Sequence, residues 1–250
     1  MMKAMTLVAV SAVALTAGTA SAATFSGNTY GYFSHIENAD HDVFPYNYYS
    51  NGGFNGSSTG IAWGYTDTSD TDFSDTSQLG INDTLFSCEL TTGMQSCDVA
   101  KIDWYNAASN ASTTDEDFNV DARLRFNLDT PVDLDTQYDT LQLNILSTNN
   151  TLSPTSDLIV SGDWEQFFLQ GYDLGNGYTL HGFSLRHEGA GALHNVAGTD
   201  FEWTNPENSV SHLYIVADIK GPAPIPLPAA GWMLLAGVGA MAAFRRRRKA

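Results

Sequence analysis

An all-β protein, an antiparallel β-sandwich or jelly roll, is the fold class predicted here, on three observations. Helical periodicity is nearly absent between residues 24 and 218. Short alternating or apolar runs recur there instead, broken by Gly, Asn, Asp, Ser and Thr. In Leu141-Gln142-Leu143-Asn144-Ile145 the apolar residues fall on every second position, as a strand with one buried face requires.

The predicted strands, in order, are Gly60 to Tyr65, Ala122 to Leu128, Thr140 to Leu146, Asp157 to Val160, Glu165 to Leu169, Tyr178 to Leu185 and Leu213 to Ile219. Between them, Asp173-Leu174-Gly175-Asn176-Gly177-Tyr178 reads as a hairpin turn, because Asn and Gly accept the left-handed backbone that tight hairpins need. Seven or more short strands at such spacing are enough for two packed sheets.

Ahead of this body, Lys3 precedes an apolar stretch from Met5 to Leu15 and small residues ending in Ala20-Ser21-Ala22-Ala23. That is the layout of a secretory signal peptide over residues 1–23, with cleavage by signal peptidase expected after Ala22 or Ala23. The apolar stretch is about half of the roughly 20 residues that span a bilayer, so it is not an anchor.

The body, residues 24–218, holds all 28 acidic residues of the chain. Only Lys101, Arg123, Arg125 and Arg186 oppose them, a net charge of −24 against −17 for the whole sequence. Such a field repels nucleic acid and anionic membrane surfaces, and it favours solubility and divalent cations. The excess of Asp over Glu suits turns better than helices.

Cys88 and Cys97 are the only cysteines. In an oxidising exported compartment an even, closely spaced pair is expected to close a hairpin loop as a disulfide. A metal or redox pair is the rival, but two further ligands of CxxC type are missing.

Asp67, Asp70, Asp72 and Asp75 gather carboxylates on one segment, the hard oxygen donors that Ca²⁺ takes, although the Gly and final Glu of an EF-hand loop are absent. A solvated acidic loop would read the same way. Asp129, Asp133 and Asp135 form a second such group. His35, Glu37, Asp40, His41 and Asp42 offer the imidazole and carboxylate donors of a transition-metal site, against the alternative of a polar loop. No Gly-x-Ser-x-Gly, His-Glu-x-x-His or phosphate-cradling glycine loop occurs, and His187-Glu188 stands alone. Trp63, Trp104, Trp164 and Trp203 would stack on sugars if exposed and fill the core if not.

After the body comes a Pro-rich linker, residues 219–228, in which Pro222, Pro224, Pro226 and Pro228 exclude helix and sheet ladder. An apolar run from Ala229 to Phe244 follows, then Arg245, Arg246, Arg247, Arg248 and Lys249. Taken with Leu227, the run rises about 27 Å as a helix, close to a thin hydrocarbon core, and the basic cluster stays cytoplasmic. Residues 229–250 are therefore expected to form a transmembrane helix with a basic stop.

This tail resembles the PEP-CTERM class of sorting signals, in the branch whose motif reads Val-Pro-Leu-Pro-Ala. Here the motif stands as Ile225-Pro226-Leu227-Pro228-Ala229, with a conservative change at its first position. The resemblance implies a Gram-negative host and an exosortase-type membrane enzyme that removes the span and releases the protein to the surface or the exopolysaccharide matrix. An unprocessed single-span anchor is the alternative, and a sortase signal is disfavoured because no Thr-Gly follows Leu227-Pro228.

The body also resembles the exported domains called choice-of-anchor K and the related THxN group. The supporting pieces are Ser58-Thr59-Gly60-Ile61-Ala62-Trp63-Gly64, Lys101-Ile102-Asp103-Trp104-Tyr105-Asn106, Ser147 to Thr151 with Ser156 to Ile159, and Tyr178 to Phe183. Asp103-Trp104 replaces the Thr-His of the THxN pattern. These domains bring no assigned chemistry. The expected function is a structural or adhesive component of the extracellular matrix, with exopolysaccharide as a partner. A calcium-assisted carbohydrate-binding module or a secreted hydrolase is the alternative.

Overall fold

Phe25, Gly27, Thr29, Gly31 and Phe33 point inward from the first long strand, β1 (Ala23–Glu37), while Tyr30 and Tyr32 stand outward. Two of these inward positions are glycines for a steric reason. A Cβ on Gly31 would collide with Ile81 of the opposite sheet, so its absence lets the two sheets close together.

The computed structural model describes residues 23–37, 44–49, 57–63, 76–107, 117–146, 156–161, 171–196, 200–222 and 237. The strands after β1 are β2 (Phe44–Tyr49), β3 (Ser57–Trp63), β4 (Ser77–Asn82), β5 (Thr84–Leu90), β6 (Met94–Asn106), β7 (Phe118–Thr130) and β8 (Leu134–Leu146). They continue as β9 (Ser156–Ser161), β10 (Tyr172–Gly175), β11 (Tyr178–Gly189), β12 (Ala192–Val196), β13 (Asp200–Pro206) and β14 (Ser209–Lys220).

These strands form two seven-stranded sheets, in the orders β12-β13-β9-β8-β7-β1-β5 and β10-β11-β14-β6-β4-β3-β2. Each strand pair is antiparallel. The inner faces meet in one core, with Phe126 of β7 edge-on to Phe183 of β11 at 5.8 Å. The architecture is thus the all-β sandwich that the alternating runs predict, with the chain crossing repeatedly between sheets.

Polar groups also link the layers. Asn106 of β6 donates its Nδ2 to the Asn205 carbonyl of β13 at 2.8 Å, and Asn205 donates in return to the Trp104 carbonyl at 3.0 Å. Both side chains are fully buried, so this reciprocal pair satisfies backbone groups that water cannot reach. Cys88 of β5 and Cys97 of β6 form a disulfide, with Cα atoms 6.1 Å apart, which joins the two sheets covalently.

The hairpin at residues 173–178 has Asn176 and Gly177 both at positive φ, and Asp173 Oδ1 accepts the Gly175 amide at 2.8 Å. β14 runs two residues past the expected boundary at 218, because Ile219 is buried in the core and Lys220 still pairs with Met94. Ala23, beside the expected cleavage point, heads β1 opposite Leu90. The remainder of the signal segment, the run Glu165 to Leu169 and, apart from Gly237, the predicted tail helix lie outside the described residues. Among the described residues no helix is long and apolar enough to cross a membrane.

Candidate functional site

Among the described residues, the outer face of the first sheet exposes two large aromatic side chains. Antiparallel register puts Tyr30 opposite Arg125 and Tyr32 opposite Arg123, with all four side chains on the solvent side. The two tyrosines are each 41% exposed, in a protein whose large described aromatics are mostly interior.

Toward the end of β1 the alternation breaks at a bulge between Ser34 and Glu37. His35 there takes a φ of 48°, a left-handed conformation uncommon for a residue with a side chain. The extra residue turns His35 and Glu37 outward together. His35 Nδ1 lies 2.9 Å from Asp121 Oδ2 and 2.9 Å from Arg123 Nη2, so it donates to the carboxylate when protonated at Nδ1 and accepts from the guanidinium in the other tautomer. Beyond it opens a cleft of about 410 Å³, lined by His35, Glu37, Asn119, Asp121, Gln142 and Asn144 among others. That volume lies within the range of small-ligand clefts. Its lining mixes amide donors with carboxylate and amide acceptors, which suits a polar ligand rich in hydroxyls.

The outer face of the second sheet also pairs its charges with one another. Arg186 Nη2 meets Asp98 Oδ2 at 2.6 Å, and its guanidinium sits 4.2 Å from the centre of the Tyr214 ring. The hydrogen bond that Arg186 donates to Asp98 holds its guanidinium above its usual pKa, and burial, followed by the Glu188 carboxylate, pushes the Tyr214 phenol above its usual 10.0. Asp103 accepts from Asn82 at 2.5 Å, pairs with Lys101 at 2.8 Å and meets His212 Nδ1 at 2.5 Å. Both oxygens of that carboxyl are engaged, so the cluster supports the sheet.

Trp63, Trp104 and Trp203 are buried, at 1%, 0% and 0% exposure, so they fill the core and do not stack on sugars. Trp63 packs edge-on against Phe118 at 5.5 Å and Trp104 against Trp203 at 5.1 Å, between the sheets; Trp164 lies outside the described residues. His187 is structural: its Nε2 lies 2.9 Å from Ser211 Oγ, which also accepts the Trp203 indole N–H at 2.7 Å. Asp129 and Asp133 are exposed around the turn between β7 and β8, and Asp135 follows in β8.

Asp67, Asp70, Asp72 and Asp75, with Asp40, His41 and Asp42, lie outside the described residues, as do Ile225 to Ala229 and Arg245 to Lys249. Among the described residues no three His, Cys, Asp or Glu side chains converge as a metal site. Sequence reasoning missed Tyr30, Tyr32 and Asp121. The available signal was Tyr-Gly-Tyr between Thr29 and Phe33, where alternation runs with the aromatic residues on the wet side.

Fold and surface together define a disulfide-linked β-sandwich with paired charges on both outer faces and, on one of them, exposed tyrosines beside an open cleft. The address lies beyond it: residues 224–249 match the family model described as the PEP-CTERM protein-sorting motif. The chain therefore carries a PEP-CTERM sorting tail, the mark of an exported protein directed to the cell surface through an exosortase-type system. No curated relative and no solved structure matches the chain.

Proposed function

We propose that this protein is a structural or adhesive component of the cell surface or exopolysaccharide matrix, freed from a transient membrane stage by processing at its tail. The observation that carries this reading is the sorting motif over residues 224–249, which ends in a basic cluster suited to the cytoplasmic side. The body agrees in character: an acidic, soluble sandwich closed by a disulfide is suited to an oxidising exterior. Signal peptidase acts at the other end, and a Gram-negative envelope supplies the route.

The test is mass spectrometry of the C-terminal peptide of protein recovered from membrane, matrix and medium of the native host. A peptide ending near Pro228 or Ala229, found in the matrix or surface fraction, is the expected result. An intact end reaching Ala250, found only in the membrane fraction, would replace this reading with a permanently anchored protein.

A further inference from the structure

We infer that the outer face of the first sheet is a binding platform for a strand of neutral polysaccharide, running from the Tyr30 and Tyr32 rings to the cleft beside His35. The inference rests on the surface or matrix reading above, since that is where such a polymer is met.

Three observations converge on this ligand. Tyr30 and Tyr32 expose flat apolar rings on a hydrated sheet face, as a partner with one apolar side, such as a sugar ring, can use. The neighbouring row, with Arg123, Arg125 and Asp121 on β7 and Gln142 and Asn144 on β8, supplies donors and acceptors in alternation. Hydroxyl groups need both at once, whereas a phosphate or carboxylate ligand needs donors alone. The bulge at His35 ends the flat row in a cleft, so the face has a closed end that can fix register.

Charge decides the class of polysaccharide. A body of −24 repels a polyanion, and Asp121 and Glu37 stand in the path itself. A neutral chain carries no such penalty. Geometry agrees as well: Gly221 donates to the Gly93 carbonyl at 2.6 Å, and Ala23 pairs with Leu90, so both ends of the sandwich gather at one pole. The cleft lies at the far end of β1, roughly 45 Å away at 3.3 Å per residue, clear of whatever holds the tail.

The test is native affinity electrophoresis of the full chain in mild detergent, in gels cast with galactomannan, hydroxyethylcellulose or alginate. Retardation by at least one neutral polymer is expected, together with a loss of about tenfold or more in affinity for the Tyr30→Ala/Tyr32→Ala variant. Met94→Ala, at the opposite pole of the other sheet, should be retarded like the parent. Circular dichroism of each variant separates lost binding from lost folding, and Tyr30→Phe/Tyr32→Phe, which keeps the rings, should retain most of the retardation. No retardation by either neutral polymer, retardation that survives loss of both rings, or retardation by alginate alone would each overturn the inference. A tyrosine-dependent dimer without retardation would assign the face to a second copy and overturn it too. Absence of binding with a processed tail in the matrix sinks this inference alone; binding with an intact membrane-held tail sinks the localisation instead.

Discussion

Trp104 of β6 and Trp203 of β13 meet edge to face with ring centres 5.1 Å apart, one from each sheet. The Trp203 indole also donates to Ser211 on β14, so a single side chain of the first sheet is anchored to two strands of the second. Removing it leaves a large cavity at the seam and frees a buried hydroxyl partner. Trp203→Ala should cost about 3–5 kcal/mol, and Trp203→Phe distinctly less. Urea unfolding followed by far-UV circular dichroism reads both; equal losses would mean that Ser211, not packing, dominates.

The disulfide between Cys88 and Cys97 closes a short loop, with a sequence separation of 9, and also spans the layers. By loop entropy alone, Cys88→Ser/Cys97→Ser should lower stability by about 2.5 kcal/mol. Comparing denaturant midpoints of the parent with and without reductant checks this, since reduction must reproduce the double variant. A parent indifferent to reductant would show the bond adds nothing to stability.

Gly31 should tolerate no side chain. Gly31→Ala drives a methyl into Ile81 and the Leu124 side chain, and overpacking of this kind costs about 1–3 kcal/mol. Pairing it with Ile81→Val, which trims the opposing wall, should recover part of the loss. A double variant no better than the single one would place the damage elsewhere.

Tyr214 sets a prediction at high pH. Its phenol is raised above 10.0 in the folded protein, chiefly by burial, so the unfolded chain loses that proton first. The resulting stability is complete below pH 10 and falls as pH climbs through the folded value. The melting temperature of the parent should therefore drop more steeply above pH 10 than that of Tyr214→Phe. Parallel curves would mean that the phenol is not shifted.

The strands legible in sequence were those whose apolar residues face the core at every second position, such as Leu141, Leu143 and Ile145. β1 was hidden because two of its core positions are glycines and its tyrosines face outward, the reverse of the usual pattern. β6 and β13 were hidden by buried polar residues: Asn106 and Asn205 read as loop formers, and only their reciprocal hydrogen bonds across the layers explain them. The open face was illegible for a different reason. Its residues come from β1, β7 and β8, and only strand register sets Tyr32 beside Arg123 and Glu37 beside Asn119. The sorting tail, in contrast, is a contiguous motif and needs no fold to be read.

β14 lies inside its sheet, paired along its whole length with β6 on one side and along most of it with β11 on the other, and the chain leaves it at Lys220 toward the tail. Tension applied through that exit acts along the strand axis. The ladder bonds on both flanks are then loaded in shear and must give way as a group, whereas an edge strand pulled sideways would open one bond at a time. The exit point is thus also a strand well placed to bear mechanical load.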